Sequence, residues 1–266
     1  MTMPEISEVR IMSDFINQNS KNKFNKAFHV EKGNIPTQFL DKEFDIKSDS
    51  RGKELLLFID NSPIHVFMGM SGNWKYVPTE TWNETKFTRL RLDDKTGHSL
   101  LLYGGFMGPK YSVGKPFTGT KRGPDPTKEF DDFKSNIYKN IDNKAFDKPI
   151  CEALLNQEYF NGIGNYIRST LIFYADVNPF EKARTILQNS DKILNLCKDV
   201  PLKSYELNGG QLRDWKSPFD TDSTEFKKWV FYQKGLACTD KTGRTFWFDD
   251  KWMDYCPYEI KKKRGK

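Results

Sequence analysis

The feature that most constrains this chain is a change of hydrophobic period partway along it. From about residue 25 to 125, apolar residues fall in short strand-sized runs broken by Gly, Asn, Asp and Pro: Glu54 to Asp60, Ile64 to Met68, Thr88 to Leu92 and Ser99 to Tyr103. Several short strands at close spacing fold as a sandwich or a barrel. Arg122-Gly123-Pro124-Asp125-Pro126 has turn chemistry and reads as a linker. Beyond it a helical period dominates from Phe130 to about Ser204. Strands first and helices second make the chain α+β.

Ahead of the strands, residues 4 to 18 open with Pro4-Glu5 and place Ile6, Val9, Met12, Phe15 and Ile16 at helical spacing. Proline suits a first helical turn, where its missing N–H would have had no partner. After the helices, Asn208 to Asp222 is polar, contains glycine, and is too poor in apolar residues to pack well, so a mobile loop is expected. Glu225 to Gln233 reads as a short helix, and Leu236 to Phe248 as a hairpin turning at Lys241-Thr242-Gly243. The expected organisation is therefore 4–125, 130–222 and 223–266.

At 266 residues the chain can bury a real core, and its 14% aromatic content argues against disorder over most of its length. A net charge of +6 favours polyanionic partners, nucleic acid or an acidic membrane surface. The apolar run Leu55-Leu56-Leu57-Phe58-Ile59 is far short of the roughly 20 residues that a membrane helix needs. No apolar signal segment is visible at the start, so no secretory signal is expected, and the expected partners do not include a membrane. Cys151, Cys197, Cys238 and Cys256 form no CxxC pair. That spacing disfavours a disulfide framework and a four-cysteine zinc site, and fits an intracellular, reducing location.

The most informative stretch is Asn161-Gly162-Ile163-Gly164-Asn165-Tyr166-Ile167-Arg168, preceded by Ile150 to Tyr159, which reads as a helix. Two glycines around one apolar residue make a tight turn whose backbone N–H groups emerge at the next helix's N-terminus, a phosphate cradle to which Asn165 adds a side-chain donor. A ligand-free helical hairpin satisfies the same spacing equally well.

This run resembles the helix–two-turn–helix motif of the formamidopyrimidine-DNA glycosylase and endonuclease VIII family, in particular its zincless endonuclease VIII-like branch. Further matches are Arg51-Gly52-Lys53-Glu54-Leu55, Gly69-Met70-Ser71-Gly72, Lys144 to Leu155, Phe160 to Arg168, Pro179 to Arg184 and Gly243-Arg244-Thr245, in the family's order over nearly the whole chain. The resemblance implies an N-terminal β-sandwich, a helix–two-turn–helix domain with a zincless β-hairpin finger, and a DNA-binding cleft between the two halves. It implies a monomer acting on damaged DNA, single-stranded, bubble or duplex, in the nucleus or at a replication site, with no cofactor and no metal. It further implies excision of oxidised pyrimidines and ring-opened purines, followed by β,δ-elimination.

The resemblance also supplies site residues. Family members begin Met-Pro-Glu, and the proline amine exposed by loss of Met is the nucleophile; the corresponding residues are Pro4 and Glu5, with Glu5 as general acid and base. Glu8 matches a second acidic residue of the family's opening, while Ser7 replaces a proline. Lys53 matches a lysine beside the damaged nucleotide, although by itself it reads as a solvated strand-edge lysine. Arg244 matches the arginine at the finger tip, and Met70 a residue that fills the void left by a flipped nucleotide. Asn165, Gly162 and Gly164 match the DNA-binding turn. Arg89, in a strand where the family carries histidine, substitutes in a phosphate contact.

Three departures matter. Met1-Thr2-Met3 precede Pro4, and a proline inside a chain is an amide without a nucleophilic lone pair, so the active form is expected to start at Met3 and lose it. The family's arginine-bearing loop is here Tyr103-Gly104-Gly105-Phe106-Met107-Gly108, which points to weak reading of the opposite base and a preference for single-stranded or bubble DNA. Zinc-containing members hold the finger with two CxxC pairs; here Phe246, Trp247 and Phe248 must hold it by packing. The Lys261-Lys262-Lys263-Arg264 tail fits a nuclear-import or DNA-binding tract, or a solvated end. Two other readings remain: a DNA-binding protein with a permanently blocked amine, and an RNA-binding module.

Overall fold

The computed structural model describes residues 4–31, 35–105, 107–117, 122–210, 212 and 215–261. The chain forms two compact units, residues 1–119 with 208–223, and residues 120–207 with 224–266.

The first unit opens with helix α1 (Ile6–Gln18) and continues with strands β1 (Phe24–Glu31), β2 (Ile35–Phe44), β3 (Ile46–Arg51), β4 (Glu54–Ile59), β5 (Ser62–Phe67), β6 (Asn73–Pro78), β7 (Thr88–Asp94), β8 (His98–Tyr103) and β9 (Lys110–Val113). Among the described residues these make two antiparallel sheets, ordered β2-β1-β7-β8-β6 and β3-β4-β5-β9. Of the two architectures that strand spacing allowed, this is the sandwich. Ala27, Trp74, Leu90, Leu92, Leu100 and Leu102 of the first sheet and Leu55, Leu57 and Val66 of the second are completely buried. Each of the leucine and valine side chains among them contributes about 1.5–3 kcal/mol. β4 is buried from Glu54 to Leu57 without alternation because α1 covers the face away from the sandwich core, and Val9, Met12 and Ile16 are wholly buried.

Pro4 lies just outside α1 rather than in its first turn. Glu5 is the N-cap, because Glu5 and Glu8 form a reciprocal capping box. The stretch expected to be a mobile loop is anchored where it is described. Trp215 is 5% exposed, Phe219 packs edge-on against Phe15 at 5.3 Å, and the Lys216 carbonyl accepts the Asn73 amide at 2.8 Å. Two aromatic side chains thus do what a longer apolar run would have done.

The second unit contains α2 (Phe130–Lys139), α3 (Ile150–Ala153), α4 (Asn165–Ala175), α5 (Ala183–Asn189), α6 (Lys192–Glu206), α7 (Thr224–Trp229) and the hairpin β10 (Leu236–Thr239) and β11 (Thr245–Phe248). The helix expected over Ile150 to Tyr159 stops at Ala153. Asn156 captures the Glu158 N–H through its side chain (3.0 Å), a local bond that competes with helix continuation. The hairpin has the expected turn, with Thr239 paired to Thr245. No helix among the described residues is long and apolar enough to cross a membrane.

Candidate active site and nucleic-acid contacts

In the first unit the candidate catalytic residues sit at the head of α1 and in the turn between β3 and β4. Pro4, Glu5 and Glu8 are buried, the two carboxylates at 2% exposure. Glu8 spans two backbone donors: Oε2 accepts the Glu5 N–H (2.8 Å) and Oε1 the Gly210 N–H (2.5 Å). It therefore ties the residue next to Pro4 to segment 208–223. Gly209 (φ +74°) makes that approach possible; a Cβ there would meet Ile11 Cδ1 at 2.7 Å and Glu8 Oε1 at 3.0 Å. The Gly209-Gly210 pair carries no chemistry visible in the sequence, and only the fold reveals its role.

Lys53 is not a solvated strand-edge lysine: it is 6% exposed. Gly52 (φ +57°) supplies the positive φ that a two-residue hairpin turn needs at its first central position. Beside it, Glu54 pairs with His65 at 2.9 Å and fixes β4 to β5. α1 packs along β3, pinned where Asn17 exchanges hydrogen bonds with Ser48 (3.0 and 2.8 Å). From that pin the helix runs back to Glu5 over about 18 Å and the strand runs on to Lys53 over about 16 Å.

Met70 is half-buried rather than a core methionine. Its N–H donates to the Met107 carbonyl at 2.9 Å, and Met107 (φ +46°) is 61% exposed. The two loops interlock through glycines. A Cβ on Gly69 would lie 2.2 Å from the Met107 carbonyl oxygen, and one on Gly104 would lie 2.7 Å from the Ser71 carbonyl oxygen. Two methionines thus stand on adjoining tips, and nothing in the sequence marks Met107 for this place; Phe106 lies outside the described residues. Arg89 occupies an irregularity in the β7–β8 pairing, half-buried, with its backbone carbonyl accepting the Tyr111 hydroxyl at 3.3 Å.

In the second unit, Gly162 (φ +91°) turns the chain into α4, and Gly164 is the helix N-cap. Gln157 Oε1 accepts the Gly162 N–H at 3.1 Å, and its amide donates to the Ile163 carbonyl at 3.0 Å, which shapes the turn. Asn165 uses its amide within the protein: Nδ2 donates to the Thr245 carbonyl (2.9 Å), and Oδ1 accepts from Arg168 Nε (3.0 Å) and Nη2 (2.7 Å). Its nearest duty is to join the turn to the finger. Arg168 forms a fully buried ion pair with Asp240 at 2.6 Å. Neither residue had been assigned a role from sequence.

Arg244 is exposed at the hairpin tip. The hairpin is held by Phe180, set edge-on to Phe246 and Phe248, by Tyr232 against Trp247, and by the Lys261 N–H on the Ala237 carbonyl (2.7 Å). Aromatic packing is thus joined by a buried ion pair and a third backbone segment. Cys238 is buried, and desolvation pushes its thiol well above the usual range. Among the described residues no group of three or more His, Cys, Asp or Glu side chains is arranged to hold a metal ion. Lys262 to Arg264 lie outside the described residues.

Residues 3–104 match the model of the formamidopyrimidine-DNA glycosylase N-terminal domain. The chain is 30% identical to human endonuclease 8-like 1 over 99% of its own length and 77% of the relative's. It is 26% identical to a formamidopyrimidine-DNA glycosylase of Prochlorococcus marinus, over 80% and 84% of the two chains. The fold is similar to that of the Lactococcus lactis formamidopyrimidine-DNA glycosylase solved with N7-benzyl-Fapy-dG DNA, with a TM-score of 0.78 at 17% identity over 94% and 99% of the two chains. Full-length similarity to the human relative, together with the helix-head, buried-lysine and glycine-turn features above, shows that this chain belongs to the formamidopyrimidine-DNA glycosylase and endonuclease VIII family of DNA glycosylases.

Proposed function

We propose that this protein is a bifunctional DNA glycosylase and abasic-site lyase of base-excision repair, with Pro4 as nucleophile. The observation that carries this reading is the capped head of α1, where Glu8 holds the Glu5 N–H next to buried Pro4, in the same unit as buried Lys53. A free α-amine has a pKa of about 8, so a usable fraction is neutral near pH 7, which a lysine at about 10.4 does not offer. Its nitrogen attacks the sugar C1′ as the damaged base departs. Glu5 gives a proton to the ring oxygen, the ring opens, and a C1′ iminium forms on the proline nitrogen. The iminium acidifies the C2′ proton; its removal expels the 3′ phosphate, and a second elimination expels the 5′ phosphate. Lys53 supplies a cation beside the flanking phosphate. Arg244, a guanidinium and so a poor proton donor, clamps phosphate and stabilises charge. Gly162, Gly164, Asn165 and Arg89 contribute backbone contacts along the strand, and Met70 with Met107 fills the void left by the extruded nucleotide.

The substrates in this reading are oxidised pyrimidines and ring-opened purines. With methionine rather than arginine on the second tip, excision from single-stranded or bubble DNA exceeds excision from duplex; equal or faster duplex excision would refute that. The reaction needs Pro4 freed of Met1-Thr2-Met3. Borohydride trapping on abasic-site DNA, read with intact mass, tests the whole scheme. The expected adduct forms only with protein beginning at Pro4 and vanishes in Pro4→Ala. An adduct on protein retaining Thr2-Met3 overturns the Pro4 role, and no adduct from protein beginning at Pro4 leaves a DNA-binding protein.

A further inference from the structure

We propose that the buried Arg168–Asp240 pair is a positioning device that sets Arg244 for the elimination steps; this rests on the lyase reading above. Each nitrogen of the guanidinium has a partner. Nη1 meets Asp240 Oδ2 at 2.6 Å and the Cys151 carbonyl at 2.8 Å, Nε and Nη2 meet Asn165 Oδ1, and the group stacks 5.0 Å from the centre of the Phe246 ring. Both side chains are fully excluded from solvent.

The Asp240 carboxylate divides its work. While Oδ2 holds the helix, Oδ1 accepts the Thr242 N–H (2.9 Å), the Thr242 hydroxyl (2.6 Å) and the Arg244 N–H (3.1 Å). The Asp240 N–H in turn donates to the Arg244 carbonyl at 3.0 Å. One carboxylate therefore both fixes the hairpin to α4, three residues from Asn165, and curls the turn that carries Arg244. Replacing a buried ion pair with apolar residues of similar volume is often neutral or stabilising, so stability alone is a weak reason for this one. What the pair specifies is the direction in which the tip arginine leaves the hairpin, referred to the same helix that begins the DNA-binding turn.

The test uses the full chain, freed at Pro4, on abasic-site DNA under single-turnover conditions, reading the ratio of δ- to β-elimination products. That ratio is internal, so loss of folded protein alone leaves it unchanged. The expected result is a fall of about tenfold in Asp240→Ala, matching Arg244→Ala, with the double variant no lower than Arg244→Ala alone. Arg168→Met/Asp240→Asn removes both charges while keeping an acceptor for the turn. A device that positions through the ion pair predicts a low ratio in this variant even when its thermal midpoint recovers. A wild-type ratio in Asp240→Ala or in the charge-free variant, or losses that multiply in the double variant, overturns the proposal. If the unmodified protein traps no adduct, the lyase reading is what fails. The positioning claim is then read from abasic-DNA affinity, where Asp240→Ala must lose the same salt-dependent contact as Arg244→Ala; an Asp240→Ala affinity equal to that of the unmodified protein overturns it.

Discussion

Glu8→Ala is the most direct perturbation of the helix head. It removes the acceptor of two backbone N–H groups, those of Glu5 and Gly210, at a site where the carboxylate is 2% exposed. Leaving a buried donor without its acceptor costs about 1–3 kcal/mol. Loss of a carboxylate from a helix N-terminus adds about 0.3–1 kcal/mol. Partial relaxation of the irregular segment around Gly210 offsets some of this, so about 3 kcal/mol is expected, roughly a hundredfold in a local opening equilibrium. Because the chain forms two units, global denaturation mixes their transitions, and native-state hydrogen exchange read by mass spectrometry is the better assay. Peptides covering the start of α1 and residues 208–223 should lose protection together in Glu8→Ala, while peptides from the finger keep theirs. Glu8→Gln retains one acceptor oxygen but turns an amide NH2 donor toward the other N–H, and should fall between. Unchanged exchange in both segments of Glu8→Ala would refute the view that this carboxylate joins them.

Gly209→Ala places a side chain at φ +74°, against Ile11 and Glu8, and should destabilise the first unit by about 1–3 kcal/mol in thermal unfolding, since left-handed backbone and a 2.7 Å contact act together. Lys53→Gln should slow single-turnover base excision by about 10–100-fold while borohydride trapping on a pre-formed abasic site persists; an adduct lost with Lys53 and kept in Pro4→Ala would move the nucleophile to Lys53. Burial alone would raise the Asp240 carboxyl, but the Arg168 charge and the hydrogen bonds from Thr242, Arg168 and Arg244 hold it below the ordinary range. Its stabilising contribution is therefore complete above the unfolded value of about 3.9 and is lost only as pH falls through the lower folded value. Hydrogen exchange in the hairpin, corrected for its intrinsic pH dependence, should thus stay protected down to about pH 4, and loosening near pH 6 would contradict this.

Much of the first unit was legible because strand length and punctuation are local properties. The finger hairpin was legible for the same reason, its Thr242-Gly243 turn being written in adjacent residues. What stayed hidden depends on distant partners. Lys53 looks solvated in sequence, and only packing around the β3–β4 turn buries it. Segment 208–223 looks too polar to pack, yet Phe219 finds Phe15 and Gly210 finds Glu8 across most of the chain. Arg168 gave no local signal: with Asn165, Ser169 and Thr170 around it α4 reads as an ordinary helix with a polar side, yet Tyr166 to Ile172 are all buried, and a charge there requires a buried partner. The identity of that partner, Asp240, is not written anywhere near it.

The interlocked glycines beneath Met70 and Met107 carry a consequence for any attempt to alter how this enzyme grips a strand. Each loop occupies the space where the other would need a Cβ, with backbone carbonyls as the obstructing atoms. The spacing of the tips therefore cannot be retuned through the supporting glycines of one loop. Swapping both segments together from a relative is the exchange this architecture permits; grafting one alone would force the pair apart.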